Sequence, residues 1–337
     1  FFQFQLAGLN GAFLTADLFN LFVFFEVLLM SSYALLLHAA DGRALKAGFH
    51  YVAVNLVGSS LFLVAAGMIY GLTGTLNLAD LAAKAAAAPA WNHGLLQAAG
   101  LLLLVVFALK AAIVPLGFWL PSAYGAAPAP VAALFALMTK VGVYAILRVT
   151  TLAFGVDAGP MADLGAAALL VAGIVTIGAG AFGAMAARAL STLVAFLVVV
   201  SAGTLVAAIP LGVAVRPGVL YYLVHSTVAA ALLFLLVAAI ARQRPVTGDR
   251  VASCTPLAPP TLLGALFLGA AAAVAGLPPL SGFIGKVALL GPALDAPRGV
   301  VLWVALLASG FVALFALARA GSIVFWKTHG VSAGVGR

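Results

Sequence analysis

Long runs of apolar residues dominate the chain, and polar residues collect in the short stretches between these runs. Several runs reach the ~20 residues that a helix needs to cross a bilayer, so the pattern predicts an all-α polytopic membrane protein. The segments predicted to cross or enter the membrane are 1–16, 18–38, 48–72, 95–120, 128–154, 161–183, 190–212, 218–241, 259–291 and 299–326. The longest connection, 74–93, contains NLADLAAKAAAA and predicts a short helix at the membrane surface.

The first segment is shorter than a full span. As a helix, FFQFQLAGLNGAFLT would be about 22 Å long, whereas the hydrocarbon core of a bilayer is ~30 Å thick. Residue 1 is Phe, and no signal-peptide pattern precedes the first span. These features favour the interpretation that the chain is a fragment whose N-terminal helices are missing.

Composition agrees with the membrane class. Hydrophobic residues make up 65% and charged residues 7% of the chain, far from the roughly 25% charged residues of a soluble domain. The net charge of +8 does not indicate a nucleic-acid site, because the basic residues are spread over the loops instead of forming one patch. A single cysteine, Cys254, excludes an intrachain disulfide.

Successive loops alternate between mainly basic residues and a mixture of acidic and basic residues. One set of loops carries Arg43, Lys46, Arg188, Arg242, Arg244, Arg250, Lys327 and Arg337. The other set carries Lys84, Arg216, Arg298, Asp80, Asp157, Asp163 and Asp295. The positive-inside rule predicts that the first set lies in the cytoplasm.

Two spans contain prolines in their middle. The fourth reads LKAAIVPLGFWLP, with Pro115 and Pro121, and the ninth reads AGLPPLSGFIGKVALL, with Pro278 and Pro279. Proline removes a backbone donor and clashes with the preceding turn, so both helices are predicted to break. In lipid, a broken helix survives only where protein covers it or where it lines a polar cavity.

These breaks lie at the fourth position of the first five spans and of the last five. A second copy of a five-helix unit must enter the membrane in the opposite orientation, so the pattern predicts two inverted five-helix repeats, 1–156 and 157–337. Proline kinks are common in membrane helices, so one alone would indicate little. Here two breaks occupy the same position in the two five-helix units, and each has a lysine beside it, which favours a transporter with a site near the midplane.

One glutamate and three lysines lie inside predicted spans. Glu26 is the only glutamate of the chain and lies roughly 12 Å along the second span. Lys110 precedes the first break, Lys140 is central in the fifth span, and Lys286 follows the second break. A charge at the bilayer centre costs several kcal/mol, with estimates from about 2.5 to over 10. Buried lysines and glutamates can take up and release protons, which makes these residues candidates for ion transfer.

A structural interpretation competes with this one. A static ion pair that fixes helix packing would account for Glu26 and one lysine, but it leaves two lysines without a carboxylate inside the membrane. His225, in LYYLVHSTVAAALLF, is a further candidate because histidine titrates near neutral pH, although a lone membrane histidine is more often a hydrogen-bonding residue between helices. The sequence contains no metal-ligand cluster or nucleotide loop, and no organic cofactor is implied.

Other residues of the spans have structural interpretations. Asp17 is expected to cap the second span. The residues expected to anchor helix ends at the interfaces are Arg148, Arg319, Trp303 and Trp326. The glycines expected to allow close helix packing are Gly58, Gly142, Gly173 and Gly178.

Five longer motifs carry a resemblance to a known family. They are GAFLTADLFNLFVFFEVLLMSSYALL, LKAAIVPLGFWLPSAY, LFALMTKVGVYAILRV, LYYLVHS and AGLPPLSGFIGK. Together they resemble the D subunit of the multisubunit Mrp/Pha-type sodium(potassium)/proton antiporters, which is similar in turn to the antiporter-like subunits of respiratory complex I. The resemblance covers essentially the whole chain, and FNLFVFFEV favours the antiporter branch.

The resemblance implies a core of two inverted five-helix repeats and a set of site residues. By motif match, Glu26 would be the family's essential glutamate and Lys110 its partner beside the first break. Lys140, His225 and Lys286 would continue a proton relay from there.

One position departs from the family pattern. Many relatives have a lysine shortly after the histidine, in a stretch that reads VKTALFL, whereas this chain reads HSTVAAALLFL with Ala230 at the lysine position. The relay between Lys140 and Lys286 would thus contain fewer titratable groups, which would make His225 and water more important.

The implied function is that of a secondary transporter subunit, not an enzyme. It would exchange protons for sodium or potassium within a hetero-oligomeric complex in the bacterial cytoplasmic membrane, with the other subunits and the lipid bilayer as partners. One alternative is a proton-pumping subunit of complex I or of a membrane-bound hydrogenase, in which redox chemistry elsewhere drives the same relay. A second alternative is a structural membrane subunit that transports nothing.

Overall fold

The computed structural model describes residues 1–38, 42–253, 257 and 260–327, without the side chains of Arg43 and Pro260. Cys254 and Arg337 lie outside the described residues. Apart from turns and short 3₁₀ and π segments, the described chain is α-helical. The α-helices in chain order are α1 (Phe2–Leu14), α2 (Leu18–Leu37), α3 (Gly42–Thr73), α4 (Leu78–Ala86), α5 (His93–Lys110), α6 (Trp119–Ala126), α7 (Ala129–Arg148), α8 (Ala166–Ala186), α9 (Leu190–Ala208), α10 (Arg216–Arg242), α11 (Pro260–Ala275), α12 (Ser281–Ala293) and α13 (Gly299–Gly321).

Eight helical stretches of the described chain are long and apolar enough to cross a membrane. The two predicted breaks separate α5 from α6 and α11 from α12. The first predicted segment is the short apolar helix α1. Each predicted span therefore has its helix, and the prediction of an all-α polytopic membrane fold with two broken helices is confirmed. The helix predicted in the connection 74–93 is α4.

The four prolines do not all lie at the breaks. Pro115 lies between α5 and α6, and Pro278 and Pro279 lie between α11 and α12. Pro121 instead lies in the first turn of α6. The amide of a first-turn residue has no partner within the helix, so proline is tolerated there.

Turns and helix ends collect at two opposite faces. At one face, the turn before α9 pairs with the loop after α10 through an Ala189–Arg250 bridge, and Arg319 at the end of α13 donates to the Ala187 carbonyl. The start of α3 borders the same turn, since Lys46 and Ala189 line one open pocket. This side of the molecule, called the basic face below, is the one that the charge pattern assigns to the cytoplasm.

Capped turns close the opposite face. Asp17 caps α2 by accepting hydrogen bonds from the backbone N–H groups of Phe19 and Asn20 at 2.8 and 3.0 Å, as predicted. Asn77 caps α4 in the same way, and an Asp17–Asn77 bridge joins the two turns. These caps satisfy amide donors at the helix starts and fix the entry of α2, the helix that carries Glu26.

Helices approach closely where glycine replaces a side chain. A Cβ atom at Gly173 of α8 would lie 2.5 Å from the Ala207 nitrogen of α9, and one at Gly142 of α7 would lie 2.6 Å from the Ala111 nitrogen. Both distances are too short for a side chain, so these two glycines are needed for the packing. The same expectation is wrong for Gly178, where a Cβ would meet nothing within 4 Å.

The two broken helices run in opposite directions. α6 ends at the basic face, where Gly125 and Ala126 line the same pocket as Lys46, whereas α11 begins on the side where the loop after α10 pairs with Ala189. The helix that follows each broken helix, α7 in the first case and α13 in the second, ends in a single π turn. These features agree with an inverted arrangement, while the division at residue 156 remains a prediction.

Candidate functional site

Three polar side chains connect α2 to α5 within the membrane region. Glu26 of α2 accepts a hydrogen bond from the Ser59 hydroxyl of α3. Ser59 Oγ in turn accepts a hydrogen bond of 3.0 Å from Lys110 Nζ of α5, a residue that is 4% exposed. Glu26 is thus joined to Lys110 through a serine, whereas the sequence predicted a direct pair.

Aromatic rings surround this connection. Lys110 Nζ lies 5.4 Å from the centre of the Phe25 ring, within the range of a cation–π interaction. The Phe107 ring packs on Phe25 at 6.2 Å and on Phe62 at 5.2 Å between centres. The rings come from the same three helices as the polar groups, so the packing that builds the core also positions the charges.

The first break places Lys110 at the carboxyl end of α5. The Leu109 carbonyl accepts a hydrogen bond of 3.2 Å from the Trp119 indole, and the Val114 amide donates one of 3.0 Å to Thr176 Oγ1 of α8. These partners satisfy backbone groups that a break would otherwise leave unpaired in the membrane. The carbonyl dipoles at the end of α5 favour a positive charge at Lys110.

Lys140 lies at the centre of α7 and is completely buried. Its Nζ donates a hydrogen bond of 2.5 Å to Ser201 Oγ of α9, and Ser201 donates one of 2.8 Å to the Val198 carbonyl. In the part of the chain that the structure describes, Lys140 has no carboxylate partner. It lies two residues from Gly142, which packs directly on the backbone of the first break.

A narrow cavity begins at Ser201. Its volume is about 30 Å³, which is enough for at least one water molecule. The polar residues that line it are Ser201, Tyr222, His225, Ser226, Lys286 and Ser309. The cavity therefore connects the hydrogen-bond partner of Lys140 with the second break.

Lys286 lies on α12, just after this break. Its Nζ donates a hydrogen bond of 2.6 Å to the carbonyl of Ala275, the last residue of α11, so a second ammonium group is bound at the carboxyl end of a half-helix. Gly310 of α13 leaves room for it, because a Cβ there would lie 2.8 Å from Nζ. His225 Nδ1 lies 2.9 Å from Ser281 Oγ at the start of α12, which holds the imidazole beside the break.

The sequence matches known proteins over most of its length. Residues 15–312 match the family described as NADH:quinone oxidoreductase/Mrp antiporter, TM. The chain belongs to this family. The resemblance that the motifs indicated is thereby confirmed.

Curated relatives in this antiporter family include the D subunits of two bacterial antiporters. That of the probable K(+)/H(+) antiporter of Rhizobium meliloti (strain 1021) is 43% identical, over 97% of this chain and 66% of its own length. That of the Na(+)/H(+) antiporter of Alkalihalophilus pseudofirmus is 39% identical, over 97% of this chain and 65% of its own length. The chain thus spans slightly less than two thirds of these relatives.

A solved structure of the Mrp complex from Dietzia sp. DQ12-45-1b contains a similar chain. The TM-score is 0.85 at 33% identity, over 95% of this chain and 59% of that one. Together with the apolar helices, these likenesses confirm a multi-pass membrane protein, and the bacterial relatives agree with the predicted place in the cytoplasmic membrane.

The predicted ionisable residues of this antiporter-family member, together with serines that bind them, form two clusters. The first cluster is Glu26, Ser59 and Lys110. The second cluster is Lys140, Ser201, His225 and Lys286, around the cavity. Across the described residues, the hydrogen bonds between side chains do not join the two clusters, which meet through the backbone contact of Gly142 with the first break.

Sequence reasoning missed three hydroxyl groups and the burial of one arginine. Ser59, Ser201 and Ser281 bind the predicted groups, and the signal available for them was a polar residue in the middle of an apolar span. Arg244 lies in the loop after α10, as predicted; it is 1% exposed, and its guanidinium donates to loop carbonyls, including that of Arg250 at 2.9 Å. It holds the loop after α10 together instead of facing the solvent.

Proposed function

We propose that this chain translocates protons as a subunit of a monovalent cation/proton antiporter. The observation that carries the proposal is the hydrogen-bonded connection from Lys110 through Ser59 to Glu26. The hydroxyl accepts from the ammonium group and donates to the carboxylate, so Lys110 can pass a proton to Ser59 while Ser59 passes its own to Glu26. The transfer leaves a neutral lysine and a protonated glutamate, and the reverse transfer restores both charges.

The second cluster would continue the path. Lys140 would exchange a proton with cavity water through Ser201, whose hydroxyl hydrogen points to the Val198 carbonyl and must first turn toward the cavity. His225 and Lys286 line the same space. His225 would accept the proton there, and Lys286 would accept it after its ammonium group has released a proton of its own. Charges in a low-dielectric interior interact strongly, so a change at one cluster would alter the potential felt by a cation elsewhere and couple the two movements.

The relatives support the choice of ions and partners. One is named as a K(+)/H(+) and another as a Na(+)/H(+) antiporter subunit, which supports sodium or potassium as the exchanged ion. The likeness to a chain of the Mrp complex supports a hetero-oligomer in the lipid bilayer. We infer that the chain works beside other subunits of such a complex, as a transporter component.

Removal of either charge in the first cluster tests the proposal. Glu26→Gln and Lys110→Ala, each in the full-length protein in its assembled complex, are expected to reduce cation-dependent proton flux in vesicles to background. The controls Asp80→Asn and Lys84→Ala remove a carboxylate and an ammonium group from the exposed side of α4 and are expected to leave the flux unchanged. Normal flux in both membrane variants would contradict the proposal.

A redox-driven proton pump is the second candidate, because the family description also names NADH:quinone oxidoreductase. Both functions would use the same clusters, but an antiporter needs no electron donor. Proton flux that starts when a sodium or potassium gradient is imposed without a reductant supports antiport. Proton flux that requires a reductant and does not depend on the cation gradient supports the pump. A structural subunit without transport would leave the flux of Glu26→Gln unchanged.

A further inference from the structure

The open pocket at the basic face lies between the start of α3, the end of α6 and the start of α9. Its volume is about 520 Å³, and its lining includes Lys46 and His50 of α3, Ser122 and Gly125 of α6 and Thr192 of α9. Pockets that bind small molecules have volumes of roughly 300–1,000 Å³. This pocket is therefore large enough for an organic headgroup.

Hydrogen-bond donors collect in the pocket. Lys46 and His50 are exposed and lie four residues apart, so their side chains are neighbours on one face of α3. The Thr192 hydroxyl, from α9, is a further group that can donate. Among the described residues that line the pocket there is no carboxylate. An anion that reaches both side chains of α3 would therefore meet donors without a competing acid.

The face of α3 that carries these donors becomes apolar towards the membrane interior. Ala53 and Val57 follow His50 by three and seven residues and so lie on the same face. Both are exposed, Val57 at 58%. On α6, Phe118 lies one turn further from the basic face than Ser122 and is 67% exposed. Donors at the helix ends with exposed apolar side chains beneath them match the polar and apolar parts of a phospholipid.

We propose that this pocket binds the headgroup of an anionic phospholipid, with the phosphate on Lys46 and His50 and the acyl chains along Val57 and Phe118. A phosphate forms charge-assisted hydrogen bonds with an ammonium group. Basic pockets between membrane helices on the cytoplasmic side bind such lipids in other proteins. A zwitterionic lipid would bind more weakly, because Lys46 repels the positive group of its headgroup. The inference does not depend on the proposed transport function.

The bound lipid would stabilise α6, the half-helix after the first break. This helix has eight residues, too few to be stable in isolation. Its residues Ser122 and Gly125 share the pocket with α3 and α9, so a headgroup there would join the three helices. At its other end, the Trp119 indole donates to the Leu109 carbonyl beside Lys110. The lipid would thus help to hold the first break in place.

Photolabelling locates the lipid without a transport assay. The full-length protein in its assembled complex is placed in phosphatidylcholine vesicles that contain a small fraction of phosphatidylglycerol with a photoreactive acyl chain. Mass spectrometry measures the labelling of residues 42–60 of α3. This labelling is expected to be about fivefold stronger than with a phosphatidylcholine probe of the same chain, since one basic residue near an anionic lipid contributes about 1 kcal/mol.

Charge variants separate a site from a general attraction to the basic face. Lys46→Gln is expected to reduce the labelling by phosphatidylglycerol to the level of phosphatidylcholine, whereas Lys46→Arg is expected to retain it. Arg242→Gln removes an exposed charge at the end of α10, on the same face, and is expected to have no effect. An excess of inorganic phosphate at constant ionic strength is expected not to compete, because it has no apolar chains.

Four results would overturn the proposal. Equal labelling by the two probes would show that the pocket does not select an anionic headgroup. Equal losses in Lys46→Gln and Arg242→Gln would show that only the charge of the whole face matters. Absence of labelling at 42–60 with both probes would mean that another subunit covers the pocket. Displacement by inorganic phosphate would identify a free anion, and not a lipid, as the ligand.

Discussion

At the scale of single residues, one hydroxyl joins the two charges of the first cluster. Ser59→Ala deprives the buried Lys110 ammonium of its hydrogen-bond acceptor, a loss that costs about 1–3 kcal/mol for a buried donor. Proton flux is expected to fall at least about tenfold, because transfer between Glu26 and Lys110 would then depend on a bridging water. Flux in vesicles and thermal unfolding of the complex would be measured together.

The neighbouring residue supplies the matched control. Ser60 Oγ donates to the Leu56 carbonyl of its own helix, and the side chain is exposed. Ser60→Ala is expected to change neither flux nor stability. Equal effects of the two alanine variants would show that the hydroxyl of Ser59 has no special role.

The difference between these serines explains what sequence reasoning could find. A charged residue inside a membrane span costs several kcal/mol and is therefore rare. Glu26, Lys110, Lys140 and Lys286 could be identified as candidates because each lies within an apolar run of the sequence. A serine hydroxyl costs little free energy in a membrane helix, because it can donate to a carbonyl of its own helix, as Ser31 and Ser60 do. Choosing Ser59 over Ser60 requires the rotation of α3 about its axis, which a helix with apolar residues on every side does not reveal.

At the scale of helices, the contact between α7 and the first break sets the position of Lys110. A Cβ at Gly142 would lie 2.6 Å from the Ala111 nitrogen and 2.8 Å from the Lys110 carbonyl carbon. Gly142→Ala is expected to force α7 away from the break and to destabilise the protein by about 1–3 kcal/mol, as overpacking commonly does. Flux should fall with it, because Lys110 moves relative to Ser59. Thermal unfolding in detergent and flux in vesicles measure the two effects.

Gly178→Ala is the control for this change, because a Cβ there meets nothing within 4 Å. Alanine is the better helix former by about 0.5–1 kcal/mol, so this variant is expected to be neutral or slightly more stable. A loss of stability equal to that of Gly142→Ala would mean that the substitution, and not the contact with the break, is responsible.

The breaks themselves were predictable, but their surroundings were not. Proline chemistry located both interruptions, since the missing donor and the ring clash act locally. The partners that make the first break tolerable, the Trp119 indole and the Thr176 hydroxyl, come from α6 and α8. Local sequence patterns do not predict such contacts, because the contacts depend on how helices that are distant in the sequence pack together.

At the scale of the whole molecule, the clusters differ in how protons would cross them. In the first, Lys110, Ser59 and Glu26 are in direct hydrogen-bond contact. In the second, Lys140 is hydrogen-bonded to Ser201, and Ser201 and Lys286 line one cavity. The sequence could indicate which charged residues are candidates for the proposed path, because the hydrophobic pattern defines the spans and hence the depth of each residue in the membrane. It could not indicate the cavity, which is the space that five helices leave between them.

The cavity can be tested by a substitution that leaves every charged residue in place. Ala230 of α10 lines it with a single methyl group. Ala230→Leu would fill space that is large enough for water. Flux is therefore expected to fall as far as in Lys286→Ala, although each titratable group remains. Ala168→Leu adds the same side chain at an exposed position of α8 and is expected to leave flux unchanged. Overpacking could lower flux by unfolding, so both proteins are compared at a temperature well below their measured unfolding. Normal flux in a folded Ala230→Leu protein would mean that protons pass from Lys140 to Lys286 without the cavity.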